Sequence, residues 1–129
     1  MIIGIDLHGV IDDDPDRFKD ICIGFTCWEC CVYIISGPPE DEIEKELKKH
    51  KIYRDKHFGA ILSVVDHLKE KGAKMWQDDR DRWWASDEEW WRSKAELCEK
   101  HNVDILIDDK EEWGEHFKNI KTKFLLYGG

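Results

Sequence analysis

The stretch Met1-Ile-Ile-Gly-Ile-Asp-Leu-His-Gly-Val10 decides how the rest of the chain is read. Isoleucines at 2, 3 and 5 make a short apolar run, the pattern of a strand buried on both faces of a parallel sheet. The run ends in Asp6, and Gly9 lets the backbone turn away without a Cβ penalty. In open α/β sheets ligands bind beyond the carboxyl ends of the strands, so Asp6 stands where chemistry is expected. The arrangement returns at Asp104-Ile-Leu-Ile-Asp-Asp109, a second apolar strand ending in two acids. Carboxylates gathered at one sheet edge point to a hard divalent cation, because like charges so placed repel until metal or protons neutralise them.

Working outward from these two strands, the chain alternates between strand and helix signals. Asp14 can cap a helix and Pro15 can occupy its first turn, so a helix is expected over 15–24 with Phe18, Ile21 and Cys22 on one face. Cys31-Val-Tyr-Ile-Ile35 is a β-branched strand ended by Ser36. Gly37-Pro38-Pro39 then turns the chain into a helix over 40–49, acids in its first turn and lysines in its last, with Ile43 and Leu47 facing the core. Residues 57–65 read as a third strand, which makes 1–65 a β-α-β-α-β run of the kind that builds a right-handed parallel sheet. A short helix over 66–71 stops at Gly72, and 74–84 read as two short strands around a polar turn.

Ser86 with Glu89 forms a capping box opening a helix to about His101, on which Trp91, Ala95 and Cys98 share a face. A strand over 103–108, a helix over 111–119 with Trp113, Phe117 and Ile120 apolar, and a strand over 122–127 complete the chain. The expected fold is a three-layer α/β/α sandwich around a mainly parallel five-stranded sheet, one domain over 1–129, with a small β-hairpin insertion at 72–86.

At 129 residues the chain suits one domain of ordinary size. Its net charge of −9 opposes binding to bulk nucleic acid. No apolar stretch approaches the ~20 residues that span a bilayer, and the first residues lack a signal peptide's basic region, so the expectation is a cytoplasmic protein. Five cysteines, an odd number, favour reduced thiols over a disulfide scaffold. Cys27-Trp-Glu-Cys30 has the spacing of half a zinc site, but no second pair follows.

Taken together, these stretches resemble the haloacid dehalogenase (HAD) type of phosphohydrolase. That family's first motif, a hydrophobic strand followed by Asp-x-Asp-Gly-[Thr/Val], is similar to Asp6-Leu7-His8-Gly9-Val10. Ile34-Ile35-Ser36-Gly37 resembles its second motif, Lys94 stands like its third-motif lysine, and Ile107-Asp108-Asp109 resembles its acidic fourth motif. The likeness covers roughly residues 1–127, with one departure: His8 stands where the family has a second aspartate.

The resemblance implies a sheet order of 5-4-1-2-3 and hydrolysis of a small phosphorylated metabolite or nucleotide, with Mg²⁺ as cofactor. Asp6 would attack phosphorus and form an aspartyl-phosphate, a known use of carboxylate nucleophiles. Mg²⁺ would be held by Asp6, the backbone carbonyl of His8 and Asp108, with Asp109 a ligand through water or a brace. Ser36 and the Gly37 backbone would bind phosphate, and Lys94 would neutralise its oxygens. If Lys94 is instead a solvated helix lysine, Arg92 or Lys110 takes that place. His8 would serve as acid and base, since histidine changes charge near neutrality.

Seven tryptophans are the other unusual feature, five of them between Trp76 and Trp91. Trp91 and Trp113 are expected in the core. The segment lies between the third strand and the Lys94 helix, where the family places one class of cap module, so Trp83 and Trp84 are candidates for a minimal lid that stacks on a flat group. Two other readings stand beside the enzyme: a catalytically weak protein that binds metal or phosphate, and a small zinc-stabilised interaction module built on Cys27 and Cys30.

Overall fold

In the computed structural model, which describes residues 1–128, the chain runs through β1 (Ile2–Ile5), α1 (Pro15–Cys27), β2 (Cys31–Ser36), α2 (Glu40–Lys49), β3 (Ala60–Ser63) and α3 (Val64–Lys71). It continues through β4 (Trp76–Gln77), β5 (Trp83–Trp84), α4 (Asp87–Lys100), β6 (Ile105–Asp108), α5 (Glu111–Gly114) and β7 (Lys123–Leu126). Five strands form one sheet in the order β3-β2-β1-β6-β7, every pairing parallel. This is a Rossmann-like α/β arrangement, and counting only these five strands it is the order 5-4-1-2-3. No helix among the described residues is long and apolar enough to cross a membrane.

Alternation along the strands builds two cores. Ile3, Ile5, Val32 and Ile34 pack with Phe18 and Cys22 of α1 and with Ile43 and Leu47 of α2. On the other face Ile35, Leu62 and Leu106 pack with Leu68 of α3, Ala95 and Cys98 of α4, and Trp113 of α5. Gly4 keeps β1 thin on that second face, where a Cβ would meet the Ile35 side chain at 2.6 Å.

Several boundaries differ from the sequence expectation, each for a local reason. α1 runs on to Cys27 instead of ending near 24, with the Thr26 hydroxyl bonded back to the Cys22 carbonyl (2.9 Å). The third strand covers 60–63, not 57–65: Asp55 N–H donates to the Phe58 carbonyl in a turn before it (2.7 Å), and Ser63 ends it by accepting from Asp66 N–H (3.0 Å). Val64 and Val65 therefore open α3 despite their β-branching. The helix expected over 111–119 is one α-turn continued as a 3₁₀ turn to Phe117. Asp14 and Ser86 cap α1 and α4 as expected, accepting from Arg17 N–H (3.2 Å) and Glu89 N–H (3.4 Å).

The insertion forms an antiparallel pair, Trp76 opposite Trp84 and Gln77 opposite Trp83. Asp78 organises its turn by accepting from the backbone N–H groups of Arg80 (2.9 Å) and Arg82 (3.0 Å), from Arg82 Nε (2.9 Å) and from Trp84 Nε1 (2.9 Å). These donors, the indole N–H foremost, hold its carboxyl well below the usual carboxylate range. From α3, the Lys69 ammonium lies 3.9 Å above the Trp83 ring and pins the hairpin to the body of the molecule.

Candidate active site

Because β1 and β6 are parallel neighbours, their carboxyl ends bring the two acidic stretches together. Asp6 N–H donates to the Ile107 carbonyl (3.0 Å), which continues the ladder one residue past β1 and fixes Asp6 beside Asp108. Asp6 and Asp108 are buried, and carboxylate oxygens of Asp6, Asp108 and Asp109 lie within 4.8 Å of one another. Lys94 reaches this cluster from α4, its Nζ 2.5 Å from Asp108 Oδ2, 3.1 Å from Asp6 Oδ1 and 4.5 Å from the ring centre of Trp113. It is 1% exposed, so the solvated-lysine reading does not hold. Arg92 instead pairs with Glu88 on the helix surface, and Lys110 meets Asp108 only through its backbone N–H (3.2 Å).

The electrostatics follow from burial and from one cation among three acids. Burial pushes the Asp6 pKa up; Lys94 and Ser36 pull it back, and Asp109 adds repulsion. Burial likewise raises Asp108 to about 6 against the pull of Lys94. Burial disfavours the Lys94 ammonium, yet the two carboxylates outweigh it and hold its pKa above the ordinary lysine value. One ammonium leaves the cluster short of positive charge whenever all three acids are ionised.

Two observations fit that deficit to a cation. Asp109 Oδ1 is buried and has no hydrogen-bond partner, a costly state for a carboxylate oxygen. Gly9, at φ +87°, leaves the Asp109 carboxylate the space that a side chain would fill. The three donors are all carboxylate oxygens, the set preferred by hard ions such as Mg²⁺ and Ca²⁺, and it does not by itself select between them.

The remaining expected residues surround this cluster. Ser36 is buried at the end of β2, close enough to Asp6 to favour its ionised form. Gly37 follows at the turn, its carbonyl accepting from Val65 N–H (3.0 Å). The His8 side chain is half exposed, with Nδ1 3.0 Å from Asp12 Oδ2, while Gly9 N–H donates to Asp12 Oδ1 (2.7 Å). Asp12 thus braces the loop after β1, a role the sequence reading missed because an acid in Ile11-Asp-Asp-Asp-Pro15 looks like any solvated turn residue. The spacing Gly9-x-x-Asp12, suited to a side-chain-to-backbone turn bond, was the available signal. Trp113 was expected in the core; its contact with Lys94 was not.

Trp83 and Trp84 line a cavity of about 290 Å³ between the hairpin and the Gly37-Pro38-Pro39 turn; of the other expected site residues only Gly37 lines it, and the acidic cluster does not. Trp90 of α4 completes that lining: its ring lies 5.3 Å from that of Trp84, and a Cβ on Gly37 would meet it at 3.4 Å. Trp91 packs edge-on against Trp113 (4.7 Å) and is only half-buried. Cys27 and Cys30 do not join a third candidate ligand; among the described residues the one group of three or more is Asp6, Asp108 and Asp109. No family model matches the chain, and no curated protein matches it.

Proposed function

We propose that the chain is a cation-dependent phosphomonoester hydrolase of the HAD type. The observation that carries this reading is the buried cluster at the carboxyl edge of the sheet: three carboxylates, an orphaned Asp109 oxygen and Lys94 across Asp6 and Asp108. Asp6, Asp108, Asp109 and the His8 carbonyl would hold Mg²⁺, which when bound screens the negative charge of the phosphate from the carboxylates.

An Asp6 carboxylate oxygen attacks phosphorus, the bond to the leaving oxygen breaks, and the phosphoryl group rests on Asp6. His8 gives the leaving oxygen its proton. Donation from Nδ1 to Asp12 leaves Nε2 as the nitrogen for that transfer. In the second half, His8 takes a proton from water, the water oxygen bonds to phosphorus, and the bond to Asp6 breaks, releasing phosphate and restoring the carboxylate. Ser36 and the backbone at Gly37 hold the phosphoryl oxygens, and Lys94 draws Asp6 toward its ionised form against burial while opposing the charge that develops on the phosphoryl group.

The second reading, a protein that binds cation and phosphate with little turnover, rests on His8 standing where the family resemblance expects aspartate. One experiment addresses both: phosphate release from a panel of phosphorylated metabolites, with Mg²⁺ and with chelator, for wild type and Asp6→Asn. Mg²⁺-dependent release abolished by Asp6→Asn supports the hydrolase. Equal inactivity of both proteins across the panel, with Mg²⁺ still bound, supports the binding protein.

A further inference from the structure

The cavity between the hairpin and the Gly37-Pro38-Pro39 turn has a make-up that the phosphoryl chemistry does not require. Pro38, Pro39, Val65, Trp83, Trp84 and Trp90 supply its apolar lining. Its lining also carries both signs of charge, Arg80 and Arg82 with Asp81 and Glu42, so donors and acceptors accompany the apolar surface. An aliphatic chain would leave those charged groups unused. A flat heterocycle places its faces against proline and indole and its polar edge at the charged groups.

The indoles are also fixed in advance. The Trp84 N–H is committed to Asp78 (2.9 Å), so this residue offers a ring face instead of a hydrogen bond. Trp84 leans on Trp90 at an interplanar angle of 41°, and Trp83 is held by Lys69. A wall held this way loses little side-chain freedom on binding. Gly37 links the slot to the phosphate end of the site: it lines the slot and lies one peptide unit, about 3.8 Å between Cα atoms, from Ser36. A volume of about 290 Å³ is at the small end of ligand sites, enough for a single ring system and too little for a folded chain.

We infer that this slot binds the heteroaromatic ring of the substrate, so that the preferred substrate class is a phosphomonoester bearing a nucleobase-like group, as in a nucleoside monophosphate. The inference rests on the hydrolase reading for the phosphate end and on the slot alone for the ring. Stacking on the indole wall favours such substrates over aliphatic phosphates of similar charge, by a factor on the order of ten or more for one base on an aromatic surface.

Two measurements test it. With Mg²⁺ present, kcat/KM for adenosine 5′-monophosphate should exceed that for ribose 5-phosphate at least tenfold, chiefly through KM, and Trp84→Ala should collapse that ratio while Trp84→Phe keeps most of it. Independently of turnover, adenosine should quench the tryptophan fluorescence of wild type and of Asp6→Asn saturably, and ribose should not. Equal kcat/KM for the two phosphates with no quenching by adenosine overturns the slot and leaves the hydrolase intact. Saturable quenching by adenosine with no phosphate release from any substrate supports the slot and removes the hydrolase. If Trp84→Ala fails to fold, the comparison of adenosine with ribose on wild type still decides.

Discussion

The carboxylate of Asp109 occupies the space that a side chain on Gly9 would take: a Cβ there would fall 2.5 Å from Asp109 Cγ, and the backbone at Gly9 has φ +87°. A side chain at this position is opposed twice, by left-handed strain of ~1–2 kcal/mol and by collision with a charged group that cannot easily move. Gly9→Ala should therefore lower stability by more than the strain alone and abolish the rise in Tm on adding Mg²⁺. Urea unfolding and thermal melts with and without Mg²⁺ check this. A variant as stable and as Mg²⁺-responsive as wild type would mean that Asp109 takes no part in a cation site.

Lys94→Met should be strongly destabilising, by ~3–5 kcal/mol, the scale for removing one partner of a buried ion pair. The sign of its pH dependence follows from the acids left behind. Without the ammonium, Asp6 and Asp108 move further above their ordinary values, so the folded state tolerates them as neutral acids and suffers as they ionise. The loss should be smaller at pH 5 than at pH 7.5, and Mg²⁺ should recover part of it at pH 7.5. Equal losses at both values, indifferent to Mg²⁺, would assign the effect to packing.

Asp108 gives a prediction for the wild type. Its folded pKa of about 6 lies above the ordinary 3.8, so its contribution to stability is full below about pH 4 and is lost as pH rises through 6. A divalent cation competes with that proton. Mg²⁺ affinity should climb by about tenfold per pH unit below 6 and level off above it, with proton release on binding. Calorimetry in buffers of different ionisation enthalpy measures both. Affinity that stays flat from pH 5 to 8 would show that Asp108 does not coordinate.

His8→Ala should fold normally, because the side chain is half exposed, and should still bind Mg²⁺, yet lose on the order of 10²-fold in turnover. Asp12→Ala should lose less, since it removes the brace and not the proton carrier. His8→Asp should remain active with its optimum moved to lower pH, because a carboxylate gives up its proton at lower pH than an imidazole. Turnover of His8→Ala equal to wild type on a substrate with a poor leaving group would remove His8 from the mechanism.

Burial pushes the thiols of Cys22 and Cys98 up to about 12, whereas Cys27 and Cys31 are exposed. At pH 8 a thiol reagent should modify Cys27 and Cys31 quickly, and Cys22 and Cys98 only on unfolding. Rapid modification of Cys22 or Cys98 in the folded protein would contradict the packing described for α1 and α4.

What the sequence disclosed and what it hid divide along physical lines. The strands bearing Asp6 and Asp108 were legible because a continuous apolar run of four or so residues, closed by an acid and flanked by helical periodicity, fits a buried parallel strand and little else. The helix caps at Asp14 and Ser86 are equally local. Lys94 was ambiguous because side-chain type predicts exposure, while its burial depends on α4 facing the acids and Trp113. Val64 and Val65 look like strand because their propensity is local, and the Ser63 cap that overrides it gains its geometry partly from a bond to Pro38, 25 residues away. Asp12 was hidden among like residues. The pairing of Trp84 with Asp78 required knowing the hairpin turn.

The place of β1 in the sheet also sets when the site comes into being. Ile2 N–H donates to the Asp104 carboxylate (2.7 Å) across 102 positions of sequence, and Asp6 meets its acidic partners only once Asp108 and Asp109 exist as folded chain. Such long-range pairing is slow to form. On a ribosome, where chains emerge from the N-terminus at ~5–20 residues per second, Asp6 is made before Asp108 and Asp109 and waits for the intervening chain. A nascent or truncated chain ending before β6 carries the proposed nucleophile without its cation cluster, so cation binding would report that the stretch from β1 through Asp109 has been made and folded.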